Sequence, residues 1–481
     1  MSISRRSFIK QSAAAIGACT LIGTSASGQV AGANEKVRIA LAGCGGRGNE
    51  IIGFFKTIPG VEIAYVVDPD STRMDAAAAR IEKEFGNKPK MNKDFRVMLD
   101  DKDIDMVAVA SANHWHALMG IWACQAGKDV YVEKPCSQRL FEGRKLAEAA
   151  TKYNRLVQHG TQRRSENTWA KVAAAAQSGK YGKLVAGKVY ANRPRGPLSL
   201  KPNTKVPDNL DWDLWVGPSA MVPYTSNYVP YNWHWHWNFG SGEIGNNGVH
   251  YFDLFRWAAQ VDNPDSVISF GTRIVNLPDN DYKDIAETPT IQLAIYDFGG
   301  LPLIYESCNI AGPRDKWNPR EECELYTEKG IIQGDKFIPN DGSAPQKLDV
   351  EFTAPAKGGN FGNLVNCIRD RGSEKLNAPI QMGHFSAGIC HWANASYILG
   401  EQDSLESIRN KMGDNKILHD SIDKVLANVK DVLDMPEEKM PFMIGPKLVV
   451  DKEKDQVVDN PKANEFLTRP ARKPFDVPEV V

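Results

Sequence analysis

Val37-Arg38-Ile39-Ala40-Leu41-Ala42-Gly43-Cys44-Gly45-Gly46-Arg47-Gly48 decides the fold. A short apolar run of this kind, bounded by glycines, reads as a strand buried on both faces. Amphipathic sequence follows to Thr57, and Val61-Glu62-Ile63-Ala64-Tyr65-Val66-Val67-Asp68 reads as a second strand ending in an acid. In that setting each glycine has a job. Gly43 permits a tight turn, Gly45 lets the backbone approach a pyrophosphate, and Gly48 allows close helix–strand packing. The N–H groups of the helix opened by Gly46 and Arg47 would receive the phosphates. Asp68, twenty residues beyond Gly48, would accept hydrogen bonds from ribose hydroxyls and repel a 2′-phosphate. NAD is therefore expected over NADP, with Arg73 keeping NADP as the minority alternative. The plainer alternative is a glycine-rich turn beside a solvated carboxylate.

Working outward, an Ala- and Arg-rich helix leads to a strand over Ile104–Ala110 and a helix over Trp115–Gln125. Strands at Asp129–Val132 and Arg155–Gln158 complete the series. Strands alternating with helices of this length form βαβ units and a parallel sheet, so residues 35–160 are expected to be a Rossmann dinucleotide-binding domain of the α/β class. Further on, Thr288–Tyr296 and Leu303–Cys308 read as strands, and Gly383–Leu399 and Leu418–Leu433 as helices. His384 and His391, seven apart, share a helix face suited to packing.

The chain has 481 residues, too many for one core, with 42% hydrophobic and 24% charged residues, the composition of a globular protein. Lys plus Arg number 58 against 59 Asp plus Glu, a net charge of −1. A nucleic-acid binder usually carries a basic excess, so no nucleic acid is expected as partner. Eight cysteines include no Cys-x-x-Cys pair, which predicts neither disulfides nor a zinc cluster, and no metal is expected. At the N-terminus, Ser4-Arg5-Arg6-Ser7-Phe8-Ile9-Lys10 precedes a weakly apolar run from Ala13 to Ile22. That pattern resembles a twin-arginine signal over residues 1–30, read for export of folded proteins, and implies a periplasmic or otherwise exported location. Ser25-Ala26-Ser27 suits a signal peptidase, placing the mature start near Gly28. Cys19 is a candidate lipid anchor, and no later stretch suits a membrane span.

Three more segments stand in order along the chain: Ser111-Ala112-Asn113-His114-Trp115-His116, Glu133-Lys134-Pro135, and Gly245-Asn246-Asn247-Gly248-Val249-His250. Together with the glycine turn they resemble the Gfo/Idh/MocA oxidoreductases, named for glucose–fructose oxidoreductase, inositol dehydrogenase and a rhizopine catabolism protein. The resemblance implies a second α/β domain, over 161–435, with a large, mainly antiparallel sheet for substrate binding and homo-oligomer contacts. It also implies Lys134 as the group that accepts the proton of a sugar hydroxyl, His250 as a second catalytic candidate, and a Lys134–Pro135 bond that is often cis. Glu133, Asn113 and His116 would then lie against the cofactor, and a carbohydrate would be the substrate. The family usually carries Asp where this chain has Asn246; an amide can orient a hydroxyl but cannot act as a base near neutral pH. Asp253, three residues after His250, would share its helix face and could hold the imidazole.

Tyr231-Asn232-Trp233-His234-Trp235-His236-Trp237-Asn238 alternates with period two. As a strand it would set three Trp on one face, with His234 and His236 on the other. Trp233 and Trp235 would offer platforms for a sugar; core packing and a His-x-His metal site are the alternatives. Asp211–Pro218 reads as a loop ending in a turn. Arg163, with Arg164, follows the last Rossmann strand and could reach cofactor or substrate. The segment from Pro436, 436–481, reads as an extended tail, a strap along the surface or a neighbouring subunit.

Export sharpens the expected activity. Free NAD is not expected outside the cytoplasm, so the cofactor should be loaded before export, bound tightly and recycled within one protein. An NAD-dependent carbohydrate or polyol oxidoreductase is expected first. The second expectation is an NAD-dependent glycoside hydrolase or lyase with a redox-neutral cycle, and the third an idle binding protein.

Overall fold

β1 (Val37–Ala42) lies at the centre of a parallel sheet, between β2 (Val61–Val67) and β4 (Met106–Val109). This computed structural model describes residues 36–310, 320–371, 375–437, 440–468, 470 and 472–481. The export signal expected over 1–30, its cleavage site and Cys19 lie outside the described residues. With β3 (Lys90–Asn92), β5 (Asp129–Val132) and β6 (Val157–His159) the sheet order is β3-β2-β1-β4-β5-β6, the Rossmann arrangement. The sequence does not announce β3, whose three residues are largely exposed and lack an apolar run.

The first helix, α1 (Gly46–Lys56), buries Gly48, Ile51, Ile52 and Phe55, the stripe expected of a helix laid on a sheet. The next, α2 (Ser71–Phe85), is capped by Asp70, whose side chain accepts from the Thr72 amide at 3.0 Å, and it ends at Gly86 with φ +77°. By contrast α3 (Asn113–Gln125) buries eleven of its thirteen residues, so it shows no polar face. Its outer side is covered by the end of the chain.

A second sheet of twelve strands is formed by the described residues beyond β6. Its centre is β7 (Leu184–Ala191), β8 (Ser266–Thr272), β9 (Ile291–Asp297), β10 (Pro302–Cys308) and β11 (Glu321–Thr327), in the order β11-β7-β10-β9-β8. Only β7 and β10 pair in parallel within this centre; the other neighbours are antiparallel. β12 (Gly330–Gln333), β13 (Lys336–Pro339) and β14 (Gln346–Lys347) extend one edge. β15 (Glu401–Gln402), β16 (Met443–Ile444), β17 (Leu448–Asp451) and β18 (Gln456–Val457) extend the other.

Strand alternation divides this sheet's side chains between two cores. Val189, Leu303, Tyr305 and Leu325 face α5 (Val249–Ala259), where Gly187 leaves room for the Phe255 ring, and α6 (Ile380–Ile398). Phe270, Leu293 and Ile304 face α7 (Lys416–Leu433) on the opposite side. Helix α6 is shared: Ile380 and Ala387 belong to the Rossmann core, whereas Ile389, Trp392 and Ala393 belong to the sheet core. His384 meets Asp455 at 2.9 Å and His391 meets Ser137 at 3.3 Å, so both histidines pack the helix against its neighbours.

Three expectations change. Tyr231–Asn238 is not a strand; Asn232–Trp235 is a 3₁₀ turn, because its amides find local acceptors. Trp233 N donates to Tyr228 O at 2.9 Å and His236 N to Trp233 O at 3.2 Å, leaving no ladder and no common tryptophan face. Asp211–Pro218 is not all loop: it contains α4 (Trp212–Val216 in residue order), capped by Asp211 accepting from Leu214 N at 3.0 Å. Nor is the segment after Pro436 merely extended, since it supplies β16 to β18 and a helix over Pro461–Leu467. Its last stretch does run as a strap. Phe475, 1% exposed, meets the edge of Trp115 on α3 at 5.4 Å, and Arg472 binds Asp213 and the Gly217 carbonyl.

The seven described cysteines are free and buried. No described helix is long and apolar enough to cross a membrane, and the described residues contain no group of three or more potential metal ligands among His, Cys, Asp and Glu. Because Phe475 fills a closed aromatic site, Phe475→Ala is expected to cost about 3–5 kcal/mol of folding stability. Urea denaturation would measure it, and a loss below ~1 kcal/mol would show the strap to be loosely held.

Candidate active site

At the carboxyl end of the parallel sheet the chain encloses a cavity of about 640 Å³, lined by both domains. Gly43 turns the backbone after β1 at φ +94°, and a Cβ there would lie 2.6 Å from the Ala110 carbonyl carbon. A Cβ on Gly48 would overlap the Gly43 carbonyl oxygen, whereas one on Gly46 would meet nothing within 4 Å. Gly48 therefore serves packing beneath the turn, Gly45 lies against the Arg73 guanidinium, which a Cβ there would approach to 2.9 Å, and Gly46 faces open space. The first turn of α1 carries no acid and no side-chain cap, so its N–H groups are available to an anion. Asp68 is 7% exposed, with Cys44 N donating to one oxygen at 2.7 Å and Asp70 N to the other at 2.9 Å. It thus fixes the glycine turn while lining the cavity. Burial raises its pKa, opposed by those two amides and by Arg73. These groups fit a dinucleotide: an uncapped helix start for phosphates, a carboxylate for ribose hydroxyls, and enough volume.

The adenosine end is roofed by residues the sequence did not flag. Asn209 O accepts from Ser71 N at 2.9 Å, its amide nitrogen donates to Asp70 at 2.7 Å, and Asp211 N donates to Pro69 O at 2.9 Å. Asp70 also pairs with Arg73 at 3.2 Å. Pro207, Asn209 and Leu210 then line the cavity opposite Arg73 and Lys93.

The other end is organised by Glu133, 4% exposed, at the end of β5. One oxygen accepts from Arg47 Nε at 2.6 Å and from the Tyr131 hydroxyl at 2.7 Å; the other takes the Lys134 amide at 3.2 Å. Burial alone would raise its pKa, but Arg47 and Lys134 hold it below the usual value, so it stays ionised. The Lys134–Pro135 peptide is cis. Lys134 Nζ reaches across to the second domain, donating to Asn246 O at 2.6 Å and to Asn246 Oδ1 at 3.3 Å. Burial lowers its pKa; Glu133 and Glu243 oppose the shift, while Arg47 and Arg193 add to it.

Asn246 is presented by a π-helical turn, Ile244–Gly248, that precedes α5. Such turns widen a helix locally, and here one delivers both a carbonyl and an amide oxygen to the same amine. Gly245 lets the turn pack on the preceding segment, since a Cβ there would overlap Ser241 Oγ. His250, on the first turn of α5, is 9% exposed and its Nδ1 has no partner. Burial, followed by the charge of Lys134, pushes its pKa well below the usual histidine value, so the ring is neutral. It stands behind the cavity wall, not in it.

The other expected residues divide. His116 lines the cavity, yet both ring nitrogens face carbonyls, Pro135 O at 2.6 Å and Ser111 O at 2.9 Å, so it ties two wall segments together. Trp233 and His234 line the cavity, stacked at 3.5 Å, with His234 Nδ1 on Tyr231 O at 2.7 Å. Asn113 is buried in the first turn of α3 and does not reach the cavity. Trp235 packs beneath Arg195, and His236 faces Glu287 at 3.5 Å; neither lines the cavity. Arg163 bonds the Tyr251 hydroxyl at 2.7 Å instead of a ligand. Asp253 does not hold His250: its oxygens take Arg164 Nε and Ser386 Oγ, each at 2.7 Å. Gln162, Arg193, Tyr231 and Asn247 line the site without having been expected there.

Two family models match the chain: "Oxidoreductase family, NAD-binding Rossmann fold" over residues 37–161, and "Oxidoreductase family, C-terminal alpha/beta domain" over 190–297. The chain carries both domains of the Gfo/Idh/MocA oxidoreductase family. Its first domain is an NAD-binding Rossmann domain. Inositol 2-dehydrogenase 2 of Saccharopolyspora erythraea is 31% identical over 198 residues, 40% of this chain and 57% of that one. A glycosyl hydrolase family 109 protein of Shewanella sp. is 28% identical over 173 residues, covering 35% of this chain and 37% of the relative. An alpha-N-acetylgalactosaminidase of Shewanella oneidensis is 28% identical over 172 residues, 34% and 37%. These alignments span well under two thirds of the relatives' lengths. The WlbA dehydrogenase of Bordetella pertussis, solved with NADH and UDP-GlcNAcA, superposes with a TM-score of 0.56 at 19% identity, over 75% of this chain and 95% of that one. That likeness is one of fold.

Several histidines of this family member are buried and neutral: burial sets His234 and His391 at about 3 and His159 at about 4, with His250 also well below its usual value. In the unfolded chain each takes a proton near pH ~6.5, so below that pH the unfolded state binds more protons than the folded one. Stability should therefore fall as the pH drops from ~6.5, continuing until the folded-state values are reached. Calorimetry between pH 7 and 5 should show a steadily falling Tm; an unchanged Tm would contradict neutral burial.

Proposed function

We propose that the protein is an NAD-dependent oxidoreductase acting on a hydroxyl-bearing carbon of a carbohydrate or polyol, with Lys134 accepting the hydroxyl proton. The observation that carries this reading is the placement of Lys134 Nζ on Asn246 O and Oδ1, at the cavity wall shared by the two domains. A neutral amine has two N–H bonds; both can be directed at Asn246, leaving the lone pair for a substrate proton. Burial favours that neutral form. Bound NAD supplies a hydride acceptor. Arg47 and Arg193 give the region a positive potential that favours the oxyanion developing as the proton leaves. Tyr231, Trp233 and His234 form an aromatic wall suited to sugar C–H faces.

A second reading is favoured by the glycosidase names among the relatives. In an NAD-dependent glycosidase, oxidation at C3 acidifies the C2 proton, its removal expels the glycosidic oxygen from C1, water adds, and the hydride returns to C3. Lys134, on the cavity wall, is the group proposed to exchange those protons, with His250 standing behind the wall. We also propose export through the twin-arginine route with NAD already bound; Ser4–Lys10 and the following apolar run support it.

The deciding experiment is denaturation of the purified protein with mass spectrometry of what is released, followed by incubation of the native protein with sugars and aryl glycosides. Absorbance growing at ~340 nm with a sugar supports net oxidation, whereas aryl release without it supports the glycosidase reading. If no NAD is released and none binds on addition, both readings fall.

Two substitutions follow. Lys134→Met should cut turnover by about 10²-fold or more while leaving NAD affinity within about twofold. Asn246→Asp places a negative charge beside the amine and raises the lysine pKa, so the acid limb of the kcat/KM profile should move to higher pH. An unmoved limb would exclude Lys134 as the base.

A further inference from the structure

Gln162 opens the 3₁₀ turn Gln162–Ser165 that follows β6, and it lines the cavity together with Lys134, Asn246 and Arg193. Its Oε1 is buried and has no hydrogen-bond partner. A buried amide oxygen left unpaired is destabilising, an arrangement kept where a ligand supplies the donor. The turn cannot readily rotate to relieve it, because its other side chains are anchored. Arg163 is held by Tyr251, Arg164 by Asp253 at 2.7 Å, and Ser165 Oγ accepts from the Asn377 amide at 3.0 Å.

Sheet order indicates which ligand provides that donor. Asp68 ends β2, the glycine turn follows β1, Ala110–Ala112 follow β4, Lys134 follows β5, and Gln162 follows β6. A dinucleotide anchored at Asp68 and the glycine turn runs along this row toward Lys134, where its reacting end must lie within reach of the amine. Gln162 stands one strand farther, about 5 Å along the row, past the reacting centre. An acceptor there faces the substrate. Resting on the oxidoreductase reading above, we propose that Gln162 Oε1 accepts a hydrogen bond from a second substrate hydroxyl, next to the one that loses its proton to Lys134. The substrate class is thereby a vicinal diol, with one hydroxyl read by Lys134 and its neighbour by Gln162, and not an isolated secondary alcohol.

The test uses the full chain loaded with NAD. D-glucose, D-galactose, N-acetyl-D-galactosamine and myo-inositol are titrated by calorimetry, then the monodeoxy forms of whichever binds. In the wild type one monodeoxy form should bind about tenfold or more weakly than its parent, through loss of the buried hydrogen bond. Gln162→Leu should weaken the parent by a similar factor and erase the difference between parent and that deoxy form. Gln162→Glu keeps an acceptor oxygen and should retain the difference, which separates a lost hydrogen bond from a misfolded turn. NAD affinity, read by quenching of tryptophan fluorescence, should stay within about twofold in all three proteins. If Gln162→Leu weakens NAD and leaves the sugar difference intact, the acceptor belongs to the cofactor and the proposal is overturned. It is equally overturned if neither affinity changes. Absence of any carbohydrate binding by the wild type, with NAD still bound, would instead remove the oxidoreductase reading and this inference with it.

Discussion

One buried carboxylate sets the geometry of the site. Glu133 lies where β5 ends, and an ionised group so placed needs charge and hydrogen bonds around it. Arg47 supplies both, and it comes from the first turn of α1, immediately beside the glycine turn. Tyr131 supplies a further donor from the strand itself. The phosphate-facing turn is thus tied to the segment that carries Lys134, so the position of the amine relative to a bound dinucleotide is fixed by one ion pair. Lys134 then reaches the π turn before α5, which extends the same chain of contacts into the second domain. The glycine turn, Lys134 and the π turn share a single line of polar contacts, and little in it can shift alone.

Enclosure by distant parts of the chain accounts for features that local sequence does not explain. Helix α3 is buried almost all round because the strap at the end of the chain, through Phe475, lies over Trp115, while Trp115 Nε1 donates to Leu214 O and Trp215 O at 3.1 Å each. Arg472 in turn grips α4 through Asp213. The roof over the adenosine end, Asn209 on Asp70, is part of the same covering layer. Helix α6 contributes to two cores at once and for that reason lacks a polar face. Only their neighbours reveal why both helices, polar side chains included, are buried almost all round.

The Rossmann domain was legible because its signals are local: an apolar run, a glycine turn in which Gly43 takes a positive φ and Gly48 leaves no room for a Cβ, and an acid at the next strand end. Lys134 was singled out by resemblance, and the structure sets its amine on Asn246 at the cavity wall. What failed was resolution by one residue or one conformation. Arg163 drew attention as a charged residue, but the 3₁₀ turn directs Gln162 into the cavity and Arg163 onto Tyr251. Period-two spacing in Tyr231–Asn238 implied a strand, yet its amides closed on carbonyls of the same segment and its neighbours. Asp253 shares a helix with His250 as expected, but the tertiary partners Arg164 and Ser386 claim it. Arg193 follows β7 with no pattern around it, and only the closure of the second domain over the first brings it to the site.

The electrostatic layout limits which chemistry this site can perform. Among the described lining residues the carboxylates are Glu50, Asp68, Asp70, Asp94 and Glu133, all contributed by the Rossmann domain. Asp68 is bound to backbone amides, Glu133 to Arg47, and Asp70 to Asn209 and Arg73. In the second domain the buried Glu243 is paired with Arg195 at 2.8 Å. Ordinary glycoside hydrolysis needs two carboxyl groups facing each other across the scissile bond, one of them free to give up a proton. No such pair faces the substrate end among the described lining residues. Asn246 continues the same logic, since it gives Lys134 hydrogen-bond acceptors without adding a negative charge that would keep the amine protonated. On the proposed reading, proton exchange near the reacting carbon falls to Lys134, biased toward neutrality by burial, with the uncharged His250 behind the wall. On the oxidoreductase reading proposed above, such a site would act on a sugar by withdrawing hydride and proton together, and bond cleavage on the second reading would begin from that oxidation.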